Sequence, residues 1–171
     1  MTNSEIVLRT ERNLSWLHQP HESRIILSTT LPPRELVTTA FVLAFSENKL
    51  LMTDLTDRGW DIPGGHVELG EIPEETARRE VFEETHATLG ELHLLGYQHI
   101  RLLERPPAVY KYPYPDSYQV FYWSQIERLD RFQPTAEAQG RDLFAPPEAE
   151  TLSWIQANKD LYEAALHGAI S

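Results

Sequence analysis

The sequence predicts an α/β fold: a sandwich of helices around a mixed β-sheet. Three observations carry that expectation. Runs rich in apolar, β-branched and aromatic residues follow one another through most of the chain, each of strand length. Helical patterning is segregated into two regions, one beginning near Pro73 and one from Glu148 to His167. A glycine turn, Pro63-Gly64-Gly65, stands between short strands and the first helix, making a loop–helix–loop unit. Sequential strands with segregated helices are what a sheet covered by helices requires.

The elements follow in order. Residues 1–33 are an extension of uncertain structure, in which Glu5–Thr10 and Arg24–Thr30 are candidate strands and His18-Gln19-Pro20-His21 a turn. His18 and His21 fit isolated surface histidines better than a metal pair. After Pro32-Pro33, Val37–Phe45 is an apolar strand, and Ser46-Glu47-Asn48 turns it into Lys49–Met52. Trp60–Glu68 predicts a short strand, a tight turn and a second short strand, with Pro63 fixing φ and Gly64 and Gly65 allowing backbone to approach a ligand. Trp60, just before the glycine turn, either walls a pocket or, as expected, packs in the core. The helix starts at Pro73, with Glu74 and Glu75 placed for the helix dipole, a Glu75–Arg79 pair at i, i+4, and a narrow stripe of Ala77, Val81 and Thr85 facing the sheet.

Leu92–Leu103 and Ser117–Gln125 are the later strands. Between them Arg105–Asp116 alternates Tyr110, Tyr112 and Tyr114 with prolines, an extended aromatic loop suited either to stacking on a substrate or to packing on the protein itself. Residues 133–147 are expected to be a loop. Glu148–Gln156 and Asn158–His167 are expected as C-terminal helices within 148–168, with Asn158 as N-cap and Leu152, Ile155, Leu161, Ala165 and Leu166 as core candidates.

Composition narrows the function. At 171 residues, 41% hydrophobic and 24% charged, the chain suits one globular domain, 1–171. It has no cysteine, so disulfides, zinc–thiolate sites and cysteine nucleophiles are excluded. No apolar run reaches membrane-span length, and Met1-Thr2-Asn3-Ser4-Glu5 lacks the basic and apolar regions of a signal peptide, so a cytoplasmic location is expected. A net charge of −11 opposes broad binding to nucleic acid or anionic membrane. It leaves room for a small phosphorylated ligand, because a bound divalent metal reverses the local sign. Oligomeric state is open, a homodimer among the options.

The densest chemistry lies in Arg79-Glu80-Val81-Phe82-Glu83-Glu84. On a helix Glu80, Glu83 and Glu84 stand at i, i+3 and i+4 and share a face, where like charges repel unless a cation sits among them. A hard divalent ion such as Mg²⁺ or Mn²⁺ wants such oxygen ligands; a solvated acidic face is the plainer alternative. With Gly65 and Glu71 in front, the segment is similar to the signature of the Nudix hydrolases, GX5EX7REUXEEXGU with U aliphatic. Gly65, Glu71, Arg79, Glu80, Val81, Glu83 and Glu84 are in register. The six fixed identities would coincide by chance at roughly one in ten million per start. One place departs: His86 stands where the pattern has glycine, and small Ala87 fills the last aliphatic position. His86 is expected to be a left-handed helix cap, since His tolerates that region better than most residues.

The resemblance spans roughly residues 34–155 and implies the Nudix α/β/α sandwich. It implies hydrolysis of a diphosphate linkage in a nucleoside diphosphate derivative by metal-activated water, with Mg²⁺ or Mn²⁺ as cofactor. Glu80 and Glu84 would be metal ligands, Glu83 a ligand or a holder of metal-bound water, and the Gly64 carbonyl a further ligand. The general base varies in the family; Glu137, in a late loop, is the candidate, with Glu80 or Glu83 as alternatives. Arg79 and Glu71 would orient the loop, and Glu68 is a solvated strand residue or an outer ligand. No downstream pattern matches the ADP-ribose, coenzyme A, NADH or dinucleoside polyphosphate groups. The alternative function is a nucleotide-sensing module without turnover, which loss of a carboxylate would favour. An isoprenoid diphosphate isomerase on the same fold needs, in its usual form, a cysteine, and a calcium hand needs an Asp/Asn loop absent here.

Overall fold

The strands of the computed structural model, which describes residues 4–171, assemble into a mixed sheet. Met1–Asn3, the first residues of the segment that lacks signal-peptide character, lie outside the described residues. The strands are β1 (Ile6–Arg12), β2 (His21–Leu27), β3 (Val37–Ser46), β4 (Lys49–Leu55), β5 (Gly59–Asp61), β6 (Gly64–His66), β7 (Ala87–Leu89), β8 (His93–Leu102), β9 (Asp116–Leu129) and β10 (Ala138–Phe144). The helices are α1 (Pro73–Thr85), α2 (Pro146–Ala149), α3 (Ser153–Ala157) and α4 (Lys159–Ile170). The sheet runs β1-β2-β8-β9-β3-β4-β10, with β5 on β4, β6 on β3 and β7 on β9. Among the described strands only β3 and β9 pair in parallel, and Val37 lies opposite Tyr118.

Both faces of the centre are apolar because alternate residues of β3 feed two cores. Leu43 and Phe45 point to one, with Ile25, Leu50, Met52, Phe121 and the helix residues Ile155, Leu161 and Ala165. Val42 and Ala44 point to the other, with Ile26, Leu51, Val120 and the α1 residues Ala77 and Val81. Strands buried on both faces read as continuous apolar runs, which is why β3 was plain in the sequence. Leu152 and Leu166 are half-buried against the first core, and Trp60 meets Phe144 edge-on at 5.1 Å, so core packing accounts for it.

Four expectations need correction. Residues 133–147 are not all loop: Ala138–Phe144 pairs with β4 at the sheet edge, with a register shift between Ala138 and Gly140. Glu148–Gln156 is broken into α2 and α3, which Leu152 separates in extended conformation. Asn158 stands at the N-cap position of α4, yet its side chain caps nothing there; its Oδ1 accepts from Arg9 of β1 at 2.7 Å and its Nδ2 donates to Trp154 O at 3.0 Å. His21 is no surface histidine but is fully buried, and it organises the turn between β1 and β2.

Candidate active site

The glycine turn is pressed against β3. Val42 N–H donates to Pro63 O at 3.0 Å, and Gly64 and Gly65 lie opposite Phe41 and Ala40. A Cβ on Gly64 would overlap the Ala40 carbonyl and Phe41, so only glycine lets the backbone lie so close. A Cβ on Gly65 would overlap the Glu80 carboxylate. The turn and the acidic helix thus form one surface.

Helix α1 is held to the sheet by Ala77, Val81 and Thr85, all fully buried. Pro73 opens it, and His86 closes it in the left-handed region at φ 58°, its N–H donating to Phe82 O at 2.9 Å, as a cap should. The His86 ring packs between Phe82 and Phe132, and it lies outside the cleft lining.

Arg79 takes Glu71 rather than Glu75. Its Nε and Nη2 donate to the two Glu71 oxygens at 2.7 and 2.9 Å, its Nη1 to Glu80 Oε1 at 2.9 Å, and its Nη2 also to His66 O at 3.2 Å. Thr76 Oγ1 and Glu68 N–H add two bonds to Glu71 Oε1, at 2.6 and 3.1 Å. The expected Glu75–Arg79 pair is not formed, since a bidentate fork onto a half-buried carboxylate is stronger than an exposed helix pair. Arg79 donation, joined by Thr76 and Glu68, holds the Glu71 carboxyl down at about 2 despite burial. This cluster clamps the loop before the helix to the helix itself.

Glu84 carries the opposite environment. It is 8% exposed, and burial pushes its carboxyl up to about 8, with the nearby Glu80 charge adding and the Gly64 N–H opposing. Its Oε2 is buried without a hydrogen-bond partner. Glu80 is also raised, by burial first; Arg79 opposes, and Glu83 and Glu137 add. Two carboxylates held in one dry place, one with an orphaned oxygen, fit a hard cation that would complete them. Among the described residues no group of three His, Asp or Glu forms a ready cage. Mg²⁺ needs none, since it is commonly held by one or two carboxylates with water and substrate phosphate.

These groups line a cleft of about 600 Å³, with Glu68, Arg58 and Glu137 on its walls. Glu137 is exposed on the rim, and its loop is tied down by Thr56, whose N–H donates to Glu137 O and whose hydroxyl donates to Ala136 O, both at 2.9 Å. Glu83 points outward: its side chain is 57% exposed and reaches Arg79 only at 3.4 Å. The structure therefore brings Gly64, Glu80, Glu84 and Glu137 around one cleft and leaves Glu83 at its mouth, in a shallow groove with Glu84 and Glu137.

The model of the NUDIX domain matches residues 35–165. The chain belongs to the NUDIX family. A Bacillus subtilis (strain 168) protein provisionally named an 8-oxo-dGTP diphosphatase is 36% identical over 96 residues, 56% of this chain and 54% of that protein. A MutT-like protein of Streptomyces ambofaciens is 40% identical over 73 residues, 42% of this chain and 44% of the other. The chain spans about half the length of the curated relatives it matches. The crystal structure of a Bacillus subtilis pyrophosphohydrolase, an E68A mutant, superposes with a TM-score of 0.63 at 22% identity, covering 91% of this chain and 96% of that one; this likeness is one of fold.

One NUDIX-cleft residue escaped the sequence, and a second feature takes a definite place. Arg58 follows Thr56-Asp57 in the turn after β4 and lines the cleft as its cation, 3.4 Å from Asp57 and 3.8 Å from Asp61. Nothing in a Thr-Asp-Arg-Gly turn distinguishes it from an ordinary surface turn. Tyr112 of the aromatic loop stacks on His66 with ring centroids 5.9 Å apart, and its hydroxyl meets His66 Nε2 at 3.1 Å. The loop thus packs on the protein itself, against a residue of the cleft wall.

Proposed function

We propose that this chain hydrolyses a diphosphate linkage in a nucleoside diphosphate derivative, with a divalent cation held at Glu80 and Glu84. The carrying observation is Glu84, buried beside Glu80 under the glycine turn with one oxygen unpartnered. A carboxylate kept in that condition is poised for a cation and unsuited to a merely structural role. Membership of the NUDIX family and the diphosphatase and pyrophosphohydrolase names of its relatives support the bond type.

The residues divide the work as follows. Glu80, Glu84 and the Gly64 carbonyl would hold Mg²⁺ or Mn²⁺, with Glu83 reaching in from the mouth. When bound, the cation supplies the positive charge that acidifies water and neutralises phosphate oxygens. Glu137, exposed on the rim with its backbone fixed, accepts the proton of the attacking water. Arg58 draws the substrate phosphates to the cleft and orients them. Gly64 and Gly65 leave room for those phosphates against the backbone. Arg79 and Glu71 touch no reacting atom in this scheme; they keep the turn and α1 in register. The whole chain acts as one domain on the small phosphorylated molecules of the cytoplasm; no described helix is long and apolar enough to cross a membrane.

The test is an activity screen over nucleoside di- and triphosphates, nucleotide sugars and dinucleotides with Mg²⁺ or Mn²⁺. Turnover of at least one class is expected, abolished by EDTA and restored by excess metal. Full activity in chelator overturns the metal assignment. Tight nucleotide binding without turnover of any class replaces the hydrolase with a sensor.

A further inference from the structure

The cleft continues past the carboxylates. Beyond Gly64 and Gly65 it opens into a second hollow of about 570 Å³ and then a third of about 380 Å³. Arg58 lines all three, and Trp16, Phe41 and Gln119 line both outer ones. Trp16 is 60% exposed there. It belongs to the tip between β1 and β2, ahead of residue 35, so the matched domain does not include it.

That tip is built, not loose. The buried His21 ring takes the Leu14 N–H on Nε2 at 3.1 Å and faces the His18 carbonyl with Nδ1 at 2.8 Å. Together these bonds fix one neutral tautomer, with the proton on Nδ1. Asn13 Oδ1 accepts from His21 N–H at 3.1 Å, and Leu17 N–H donates to Leu14 O at 3.1 Å. A line of rings then joins the tip to the glycine turn: His18 on Tyr110 at 5.3 Å, Tyr110 on Tyr112 at 5.5 Å, Tyr112 on His66 at 5.9 Å. An exposed indole carried on such a fixed backbone costs less to order when something stacks on it than one on a loose loop.

Gln119 supplies the polar partner. Its register neighbour on β8, Gln98, donates to Ser23 Oγ at 2.8 Å, whereas the Gln119 amide makes no side-chain hydrogen bond among the described residues. A half-buried carboxamide with both a donor and an acceptor free can pair with the edge of a heterocycle.

We propose that the outer hollows are a base subsite: the substrate's nucleobase stacks on Trp16 and presents its edge to Gln119, while its diphosphate passes Arg58 toward Glu80 and Glu84. This rests on the hydrolase reading of the cleft and makes the N-terminal hairpin a specificity element added to the family domain. Stacking of a base on an aromatic side chain corresponds to roughly 5- to 150-fold in affinity.

The experiment uses the full chain with Mg²⁺, comparing its best nucleotide substrate with ribose 5-diphosphate, which keeps the sugar and diphosphate and lacks the base. Trp16→Ala should raise KM for the nucleotide about tenfold or more with little change in kcat, Trp16→Phe should restore most of it, and the effect should be confined to the substrate with a base. Gln119→Ala should narrow the KM differences among adenine, guanine, cytosine and uracil nucleotides. Unchanged nucleotide KM in Trp16→Ala, or equal losses on both substrates, overturns the subsite. If the wild type turns over nothing, the hydrolase reading has failed; calorimetry with nucleoside monophosphates then decides the subsite, which stands only if Trp16→Ala binds them about tenfold more weakly.

Discussion

Glu84 and Glu71 lie on or beside the same helix, yet their surroundings drive them in opposite directions. Glu84 is buried beside Glu80, and burial first and the Glu80 charge second hold its carboxyl up at about 8, so its charged form needs a compensating cation. Glu84→Gln and Glu80→Gln should each lower kcat by at least ~10²-fold. In EDTA the melting temperature of Glu84→Gln should hold or rise, which calorimetry checks. Near-wild-type turnover in both variants would place the site elsewhere. Glu71 is the converse case. Its carboxyl is depressed to about 2 from an ordinary 4.5 by Arg79, so the charged form favours folding. That contribution is complete above about pH 4.5 and is lost as pH falls toward 2. Glu71→Gln should therefore lower the melting temperature at pH 7 by several degrees, and the gap to wild type should shrink on acidification. Denaturation curves at pH 7, 4 and 3 measure it; a constant gap would mean the carboxylate charge contributes nothing. Glu80 and Glu84 were legible because helical spacing puts them on one face, and Glu71 because the family signature marks its place. Arg58 and His21 were not: Arg58 matters by its place on the cleft wall and His21 by its burial and its bonds to backbone of the same turn, and neither has a distinctive neighbourhood in sequence.

At the scale of elements, the glycine turn and the helix cap make separate predictions. Gly65→Ala would push its new methyl into the end of the Glu80 side chain, which can swing aside. The fold should survive while kcat falls at least about tenfold, since sub-ångström displacement of a working group is costly. Gly64→Ala meets main chain at Ala40 and should instead destabilise the protein by about 1–3 kcal/mol. Circular dichroism melts beside kinetics separate the two, and equal stability loss in both variants would refute the distinction. At the cap, His86→Gly relieves a left-handed side chain but forfeits ring contacts to Phe82 and Phe132. The two effects nearly offset, leaving a net change within ~1 kcal/mol and an almost unaltered kcat. A large fall in kcat, with loss of an ionisation near neutral pH, would reveal a histidine acting in the chemistry. Apolar strands and the helix were readable from their periods. Strand β10 was not, because Gln139, Gly140, Arg141 and Asp142 carry no apolar alternation and it pairs only along the sheet edge with β4. The break between α2 and α3 was equally silent, since Leu152 is a good helix former that tertiary packing holds extended.

For the whole molecule, cation binding and folding are one equilibrium. A metal that binds only the folded chain should stabilise it by about 2.7 kcal/mol at a hundredfold excess over Kd, a rise of several degrees in melting temperature. The rise should be small in Glu84→Gln, and an equal rise in the variant would point to binding elsewhere on a surface of net charge −11.

The parallel pairing of β3 with β9 bears on how the chain comes to life. Strand β3 holds the glycine turn through β6, and along Val37–Phe45 its other neighbour is β9, roughly eighty positions later. That contact must wait until most of the chain has left the ribosome. A nascent chain ending before Asp116 has the acidic helix but lacks the strand that completes the platform beneath it. Turnover in a refolding experiment should then return in step with the slowest spectroscopic phase, with no earlier fraction. The cleft would be among the last things this protein acquires.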